Sequence, residues 1–395
     1  MLHDLTILGS TGSIGRQALD VCRRLQIYPR FLSCHREVDL LAEQIKEFRP
    51  RAAVVTDPAA ADRLTDLLSP ADLKSTSIYR GEAALLNLVR EPVDRILVAI
   101  SGFAALAPCY EAIQAGRDLA LANKEAVVVA GDMLLPLARE QGVNIYPVDS
   151  EHSAIWQCLA AAPAGACRSL YLTASGGPFR TWTREQMAQV SPQEALAHPV
   201  WSMGAKISID SASMMNKGLE IIEAMQLFSM AEEDIQVLIH PEGLIHSMVE
   251  FKDGAIMAQL GMPDMRLPIQ LALTWPERLD TDLPRLNFFA ESDQRKLNFF
   301  QPDPERFPAL QLARRAAREG KEGPLVLNAA NEVGVEAFLA GQIKFTEITD
   351  LVARALDHFL LARRLTDFSL NGMIDHDQLV KAYCRDQVSI LGSLA

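Results

Sequence analysis

Hydrophobic positions in the first 150 residues fall into short unbroken runs separated by amphipathic stretches. LTIL (5–8), RFLSC (30–34), AAVVT (52–56), RILVAI (95–100), DLALA (118–122) and NIYPV (144–148) are the runs. Between them, residues 16–25 and 40–48 repeat apolar positions at helical spacing. Continuous apolar strands alternating with such helices predict a parallel sheet covered on both faces, an α/β unit of the Rossmann-like kind, over residues 1–148.

The pattern changes from residue 149 to 283. A Gly-rich turn at 175–177, a loop at 198–204 and a helix at 213–228 precede apolar stretches at 235–239, 244–251 and 255–260. Lys252-Asp253-Gly254 is a tight-hairpin signal, so antiparallel pairing within an α+β domain is expected here. Residues 284–308 hold Pro284, Pro302, Pro304, Pro308 and two copies of LNFF (286–289 and 297–300). Two copies of four residues do not make a repeat architecture, and the stretch reads as a linker. Residues 309–395 read as a helical domain, with Pro324 placed to open a helix and Gly341 to close it.

At 395 residues the chain is too long for one ordinary core, which fits two or three domains. With 49% apolar and 22% charged residues it is globular in composition. A net charge of −12 argues against a nucleic-acid or anionic-membrane surface, so an anionic ligand must be captured by local donors. The six cysteines are scattered without metal spacing, which predicts reduced thiols and a cytoplasmic protein. No apolar stretch is long enough to span a membrane, and MLHDLTILGS lacks the pattern of a secretory signal.

Four places carry candidate chemistry. Gly9-Ser-Thr-Gly12-Ser-Ile-Gly15 follows the first strand and opens the first helix. There it is either a dinucleotide loop, with the pyrophosphate on the helix N-terminus, or a plain tight turn. His35-Arg36-Glu37 lies about 20 residues on, where an acid selects NAD and a cation NADP; Arg36 suits a 2′-phosphate, and all three also suit a solvated loop. Asn123-Lys124-Glu125 follows the strand at 118–122, on the crevice side of the predicted sheet, and also fits a helix cap.

Asp149-Ser150-Glu151 ends the strand at 144–148. Two carboxylates in one pocket repel by about 1–4 kcal/mol unless a cation or a shared proton relieves them. Mg²⁺ or Mn²⁺ with oxygen ligands would do so; a capped helix start is the other reading. Finally, Asp210 through Glu220 reads as the opening of a helix. It brings Asn216 and Glu220 onto one face, with Lys217 adjacent and Ser211 near the end. Ser, Asn and Lys there make a phosphate site, and Glu220 a third metal carboxylate. Ser175-Gly176-Gly177 adds a hydroxyl and main-chain N–H groups. Trp201 and Met203 sit in the loop closed by Gly204, as a core anchor or as a water-excluding flap over residues 198–204.

These motifs, in this order, resemble the 1-deoxy-D-xylulose 5-phosphate reductoisomerase family. The blocks that carry the likeness are LTILGSTGSIG, LANKEAVV, PVDSEHSAIWQ, SGGPFR, HPVWSMGAKISIDSASMMNKGLE and VLIHPEGLIHSMV. It continues more thinly through LNAANEVGVEAFL. The resemblance implies an NADPH-binding domain, a catalytic domain, a C-terminal helical domain and a homodimer. It implies NADPH contacts from Thr11, Gly12, Ser13, Ile14, Asn123, Glu125 and Gly204, and Mg²⁺ or Mn²⁺ on Asp149, Glu151 and Glu220. The phosphorylated sugar would meet Lys124, Ser150, Glu151, Ser175, His198, Ser211, Asn216, Lys217 and Glu220, under a flap bearing Trp201 and Met203. His35-Arg36-Glu37 departs from the Gly-Lys/Arg-Asn common in the family. Two rival classes are a metal-independent semialdehyde or homoserine-type dehydrogenase and a non-catalytic NADP-binding sensor.

Overall fold

The computed structural model describes residues 4–197, 204–289, 296–362 and 365–392. The chain forms two compact units. One is built from the chain up to Ala126, from Leu134–Ser153 and from Asp264–Leu283; the other from Val127–Met133, from Ala154–Pro263 and from Pro284 onward.

The first unit holds a seven-stranded sheet: β1 (Leu5–Leu8), β2 (Phe31–Cys34), β3 (Ala52–Val55), β4 (Ser77–Arg80), β5 (Arg95–Val98), β6 (Asp118–Leu121) and β7 (Ile145–Pro147). Their order is β4-β3-β2-β1-β5-β6-β7 and every pairing is parallel. The expected α/β sheet is therefore present, with one strand more than the apolar runs indicated. β4 (SIYR) escaped because it is largely exposed and carries no apolar run. β1, β2, β3 and β5 are buried throughout, which is why they read as unbroken hydrophobic segments. The strand order reverses beside β1, whose carboxyl end runs straight into Gly9. That is the switch point at which open sheets of this kind bind ligands.

The helix Arg266–Thr274 belongs to this unit and lies against the helix Ser13–Leu25. Its Ile269, Ala272 and Leu273 join the core formed by Leu5, Ile7 and Leu19. The stretch 149–283, read as one domain, is thus shared between the two units. An apolar helical stripe shows that a helix is buried but not against what.

The second unit contains β8 (Cys167–Ala174), β9 (Ile235–Ile239), β10 (Ile245–Phe251) and β11 (Ile256–Leu260), in the order β11-β10-β8-β9. β10 pairs antiparallel with β11, as the hairpin signal indicated, and also with β8. β9, however, runs parallel to β8, so the sheet is mixed and not wholly antiparallel. The long chain between β8 and β9, including the helix Met215–Phe228, supplies the crossover that parallel neighbours require. The helices Ala309–Arg318, Glu322–Leu339, Phe345–Ala362 and Leu370–Gly392 pack on one another as the expected C-terminal bundle.

Candidate functional site

In the first unit the glycine loop lies between β1 and the helix Ser13–Leu25. Gly9 has φ +80°, and a Cβ there would lie 2.7 Å from the carbonyl oxygen of Ala99. A Cβ on Gly15 would lie 2.2 Å from the Gly9 carbonyl oxygen, so helix and turn can only meet through glycine. Gly12 is different. It is exposed, and the nearest atom to an added Cβ is 3.4 Å away, an ordinary contact. The protein's own packing explains Gly9 and Gly15, and leaves the main chain at Gly12 open to the surface. Thr11, Ser13 and Ile14 beside it are half-buried. The helix has neither a side-chain cap nor an acidic residue in its first turn, which leaves its positive end for an anion.

Past β2, the exposed Arg36 donates from Nε to Asp57 at 2.7 Å, and His35 Nδ1 meets Thr56 Oγ1 at 2.9 Å. The Arg36 guanidinium holds the Asp57 carboxyl below the usual carboxylate range. Asp57 also caps the helix Pro58–Leu67 through the Ala60 N–H. Arg36 is thus anchored from the side of the next strand.

At the end of β6, Asn123 Oδ1 accepts from the Ala126 N–H at 2.8 Å. Its Nδ2 donates to the carbonyls of Ile100 and Gly102 and to Glu125. The capping interpretation therefore holds, and the same bonds tie the ends of β5 and β6 together. Lys124 is buried and ion-paired with Asp149 at the end of β7. Ser150 Oγ donates to Glu151 Oε2 at 2.6 Å. The helix Ser150–Leu159 starts here, so both carboxylates stand at its first turn. A buried lysine balances one of them, which keeps two acids tolerable in so small a space.

In the second unit the turn Ser175-Gly176-Gly177 follows β8 directly. The Gly177 N–H donates to Ser175 Oγ at 3.3 Å, and a Cβ on Gly177 would come within 2.8 Å of the Ser211 carbonyl oxygen. Ser175 and Ser211 are thereby brought into one neighbourhood. Phe179, two residues on, is fully buried and packs on Phe345 with ring centroids 5.3 Å apart, which pins the turn to the helical bundle.

The segment 210–220 does not open a single helix. One helix ends at Ala212 and the next begins at Met215, with Met214 at φ +63° between them. Asp210 and Ser211 therefore sit at the C-terminal end of Ala205–Ala212. Ser213 mediates the break, its Oγ donating to the Asp210 carbonyl and accepting from the Met215 N–H. Amphipathic spacing runs smoothly across this joint, so the pattern could not disclose it. Asn216 and Lys217, one turn before Glu220, both donate to its carboxylate, which is completely buried. The i,i+4 pairing read from the sequence is present, with Lys217 added at i+3.

Asp210 is a further buried polar residue of this segment. It accepts from Lys206 Nζ at 2.9 Å and from Asn331 Nδ2 at 2.7 Å, and Asp210 and Asn331 are both buried. Asn328 and Asn331, polar residues among the apolar positions of LNAANEV, are the available signal. Gly204 is exposed at the start of the helix Ala205–Ala212. His198, Trp201 and Met203 lie outside the described residues.

Three family models match the chain. Residues 5–131 match 1-deoxy-D-xylulose 5-phosphate reductoisomerase, residues 145–228 the C-terminal domain of that enzyme, and residues 260–383 the DXP reductoisomerase C-terminal domain. The chain belongs to the 1-deoxy-D-xylulose 5-phosphate reductoisomerase family. The reductoisomerase of Chloroherpeton thalassium is 46% identical over 98% of this chain and 98% of that one. That of Chlorobium phaeovibrioides is 51% identical over 90% and 92%. Among solved structures, DOX-P reductoisomerase in complex with NADPH, fosmidomycin and magnesium superposes with a TM-score of 0.92 at 40% identity, covering 99% of both chains. The Zymomonas mobilis enzyme in complex with NADPH gives 0.89 at 40% identity, covering 98% of this chain and 99% of that one.

Proposed function

We propose that the protein converts 1-deoxy-D-xylulose 5-phosphate to 2-C-methyl-D-erythritol 4-phosphate, an NADPH- and divalent-metal-dependent rearrangement and reduction in non-mevalonate isoprenoid precursor synthesis. The observation that carries this reading is the pair of polar centres in a chain matched along its length by one family. One is Lys124 paired with Asp149 at the strand ends; the other is Glu220 buried beneath Asn216 and Lys217.

Thr11, Gly12, Ser13 and Ile14 would receive the NADPH pyrophosphate. Asn123, Glu125 and Gly204 would add contacts, and Arg36 would face the 2′-phosphate. The freedom around Gly12 and the uncapped helix end support this. Bound NADPH supplies the hydride for the reductive step. Asp149, Glu151 and Glu220 would hold Mg²⁺ or Mn²⁺. An all-carboxylate donor set fits a hard cation, and a wholly buried Glu220 calls for positive charge around it. When bound, the cation polarises the substrate's carbonyl and neighbouring hydroxyl oxygens as a Lewis acid.

Lys124 adds fixed positive charge beside the reacting oxygens, held in place by Asp149. Ser175, Ser211, Asn216 and Lys217 would bind the phosphate, and Ser150, Glu151 and His198 the sugar oxygens. Trp201 and Met203 would form the flap that keeps water from the intermediate. All six cysteines are free thiols, which suits a reducing cytoplasm, and burial pushes those of Cys22, Cys34, Cys109 and Cys384 up to about 12, so they are poor nucleophiles. Among the described residues no helix is long and apolar enough to cross a membrane. We take the active form to be a homodimer on the family likeness, checked by light scattering.

The deciding experiment follows NADPH absorbance with 1-deoxy-D-xylulose 5-phosphate, with Mg²⁺ or Mn²⁺ and after chelation. Metal-dependent NADPH oxidation is expected. Undiminished turnover after chelation would return the protein to the metal-independent dehydrogenases, and NADPH binding without turnover to the sensors.

A further inference from the structure

Gln44 lies on the buried stripe of the helix Val38–Phe48, among Leu41, Ile45 and Phe48, and is only 4% exposed. An amide left unpaired in such a place is destabilising. Both ends of this one are engaged by a single residue. Ser10 Oγ donates to Gln44 Oε1 at 2.7 Å, and Gln44 Nε2 donates to the Ser10 carbonyl oxygen at 3.0 Å. Ser10 is fully buried. Its N–H and that of Gly9 both donate to the Ser33 carbonyl on β2, at 2.8 and 3.1 Å. The loop is thus gripped from β2 and from the second helix at the residue just before Thr11 and Gly12.

A leucine or methionine would fill the same volume in that apolar stripe. What either lacks is a donor and an acceptor reaching the main chain and hydroxyl of a loop residue. We infer that Gln44 is a positioning residue for the dinucleotide: it fixes the Ser10 peptide so that Thr11–Ile14 are held ready for the pyrophosphate. Preorganising a loop in this way lowers the ordering cost of binding, so the effect belongs to cofactor affinity. The inference rests on the cofactor reading above, and the test separates the two.

The full-length protein with Mg²⁺ is compared with Gln44→Met, Ser10→Ala, the double variant and Gln44→Glu. NADPH dissociation constants come from quenching of protein fluorescence, with kcat, the substrate KM and the melting temperature measured alongside. Gln44→Met and Ser10→Ala are each expected to weaken NADPH binding about tenfold, equivalent to about 1.4 kcal/mol. The substrate KM should stay within about twofold, and the double variant should be little worse than either single one because the pair acts as a unit. Gln44→Glu keeps the acceptor and loses the donor. Its loss should exceed that of Gln44→Met at neutral pH and ease on acidification, as protonation restores a donor.

A parent protein that binds no NADPH overturns the cofactor reading, and this inference with it. A parent that binds, beside a Gln44→Met protein that binds within twofold but melts earlier, makes Gln44 a packing residue and overturns the inference alone. If Gln44→Met does not fold, Gln44→Glu decides, since it removes the donor to the Ser10 carbonyl: unchanged affinity at neutral pH overturns the inference, and a selective loss for NADPH upholds it.

Discussion

The glycine loop of the first unit and the buried Glu220 of the second are built in opposite ways. The loop offers main chain: Gly9 and Gly15 are locked against neighbouring backbone, and Gly12 is left open at the uncapped start of a helix. The second offers side chains: Glu220 is sealed within a helix, with Asn216 and Lys217 directed onto it. A main-chain site is sensitive to any added Cβ and indifferent to most polar chemistry nearby. A side-chain site is sensitive to the loss of one functional group and depends on charge balance, because a buried carboxylate without its cation is costly.

The largest expected effect lies in the second unit. Glu220→Gln should lower kcat on the order of 100-fold or more while NADPH affinity stays within twofold, since the substitution removes a charge and little volume. Retained turnover would dissolve the contrast, for Glu220 would then be merely a structural acid. Within the loop, Gly15→Ala and Gly12→Ala should part company. The first drives a Cβ to 2.2 Å from backbone and should cost about 3 kcal/mol or more of stability, seen as a lowered melting temperature. The second should leave melting nearly unchanged and raise the KM for NADPH about tenfold. Equal melting temperatures for the two would mean that the loop is not built as described.

A smaller effect is expected at the adenosine end. Arg36→Ala should reduce the preference for NADPH over NADH about tenfold in kcat/KM with little change in kcat; an unchanged preference would mean that Asp57 holds the guanidinium away from the 2′-phosphate. The last bears on stability alone and lies in the helical bundle. Burial pushes the Asp377 carboxyl up to about 6, in spite of its ion pair with Lys381 at 2.9 Å. An acid raised above its unfolded value near 3.8 binds more protons in the native state, so its contribution to stability falls as pH rises from about 4 to 6. Asp377→Asn should therefore gain on the parent through that interval, by on the order of 1–3 kcal/mol, measured as the difference in denaturant midpoints across pH. A constant difference would mean that Asp377 titrates normally.

How far the sequence could be read depended on whether a feature was local. The strands β1, β2, β3 and β5 announced themselves because burial on both faces demands unbroken apolar runs, and β6 and β7, less completely covered, still carried enough apolar residues to be read. β4 did not, because an exposed edge makes no such demand. Asn216 and Glu220 were legible as a pair because helical geometry joins i and i+4 wherever the helix lies. The joint at Met214 was not, since a single left-handed residue leaves the apolar spacing intact. Nothing local marks Gln44, because its partner stands 34 positions away.

Local chemistry settled a good deal unaided. The glycine turn after the first strand, the carboxylates at a strand end and the Asn-Lys-x-x-Glu face of a helix each follow from steric and hydrogen-bonding rules that act over a few residues. Tertiary structure alone decided which distant segments those groups meet. It set Lys124 against Asp149, the 175–177 turn against Ser211, Asn331 against Asp210, and the helix Arg266–Thr274 against the first sheet. Burial is non-directional, so an apolar stripe fixes that a segment is covered. Only the competition of all such stripes for the same interior volume fixes by what.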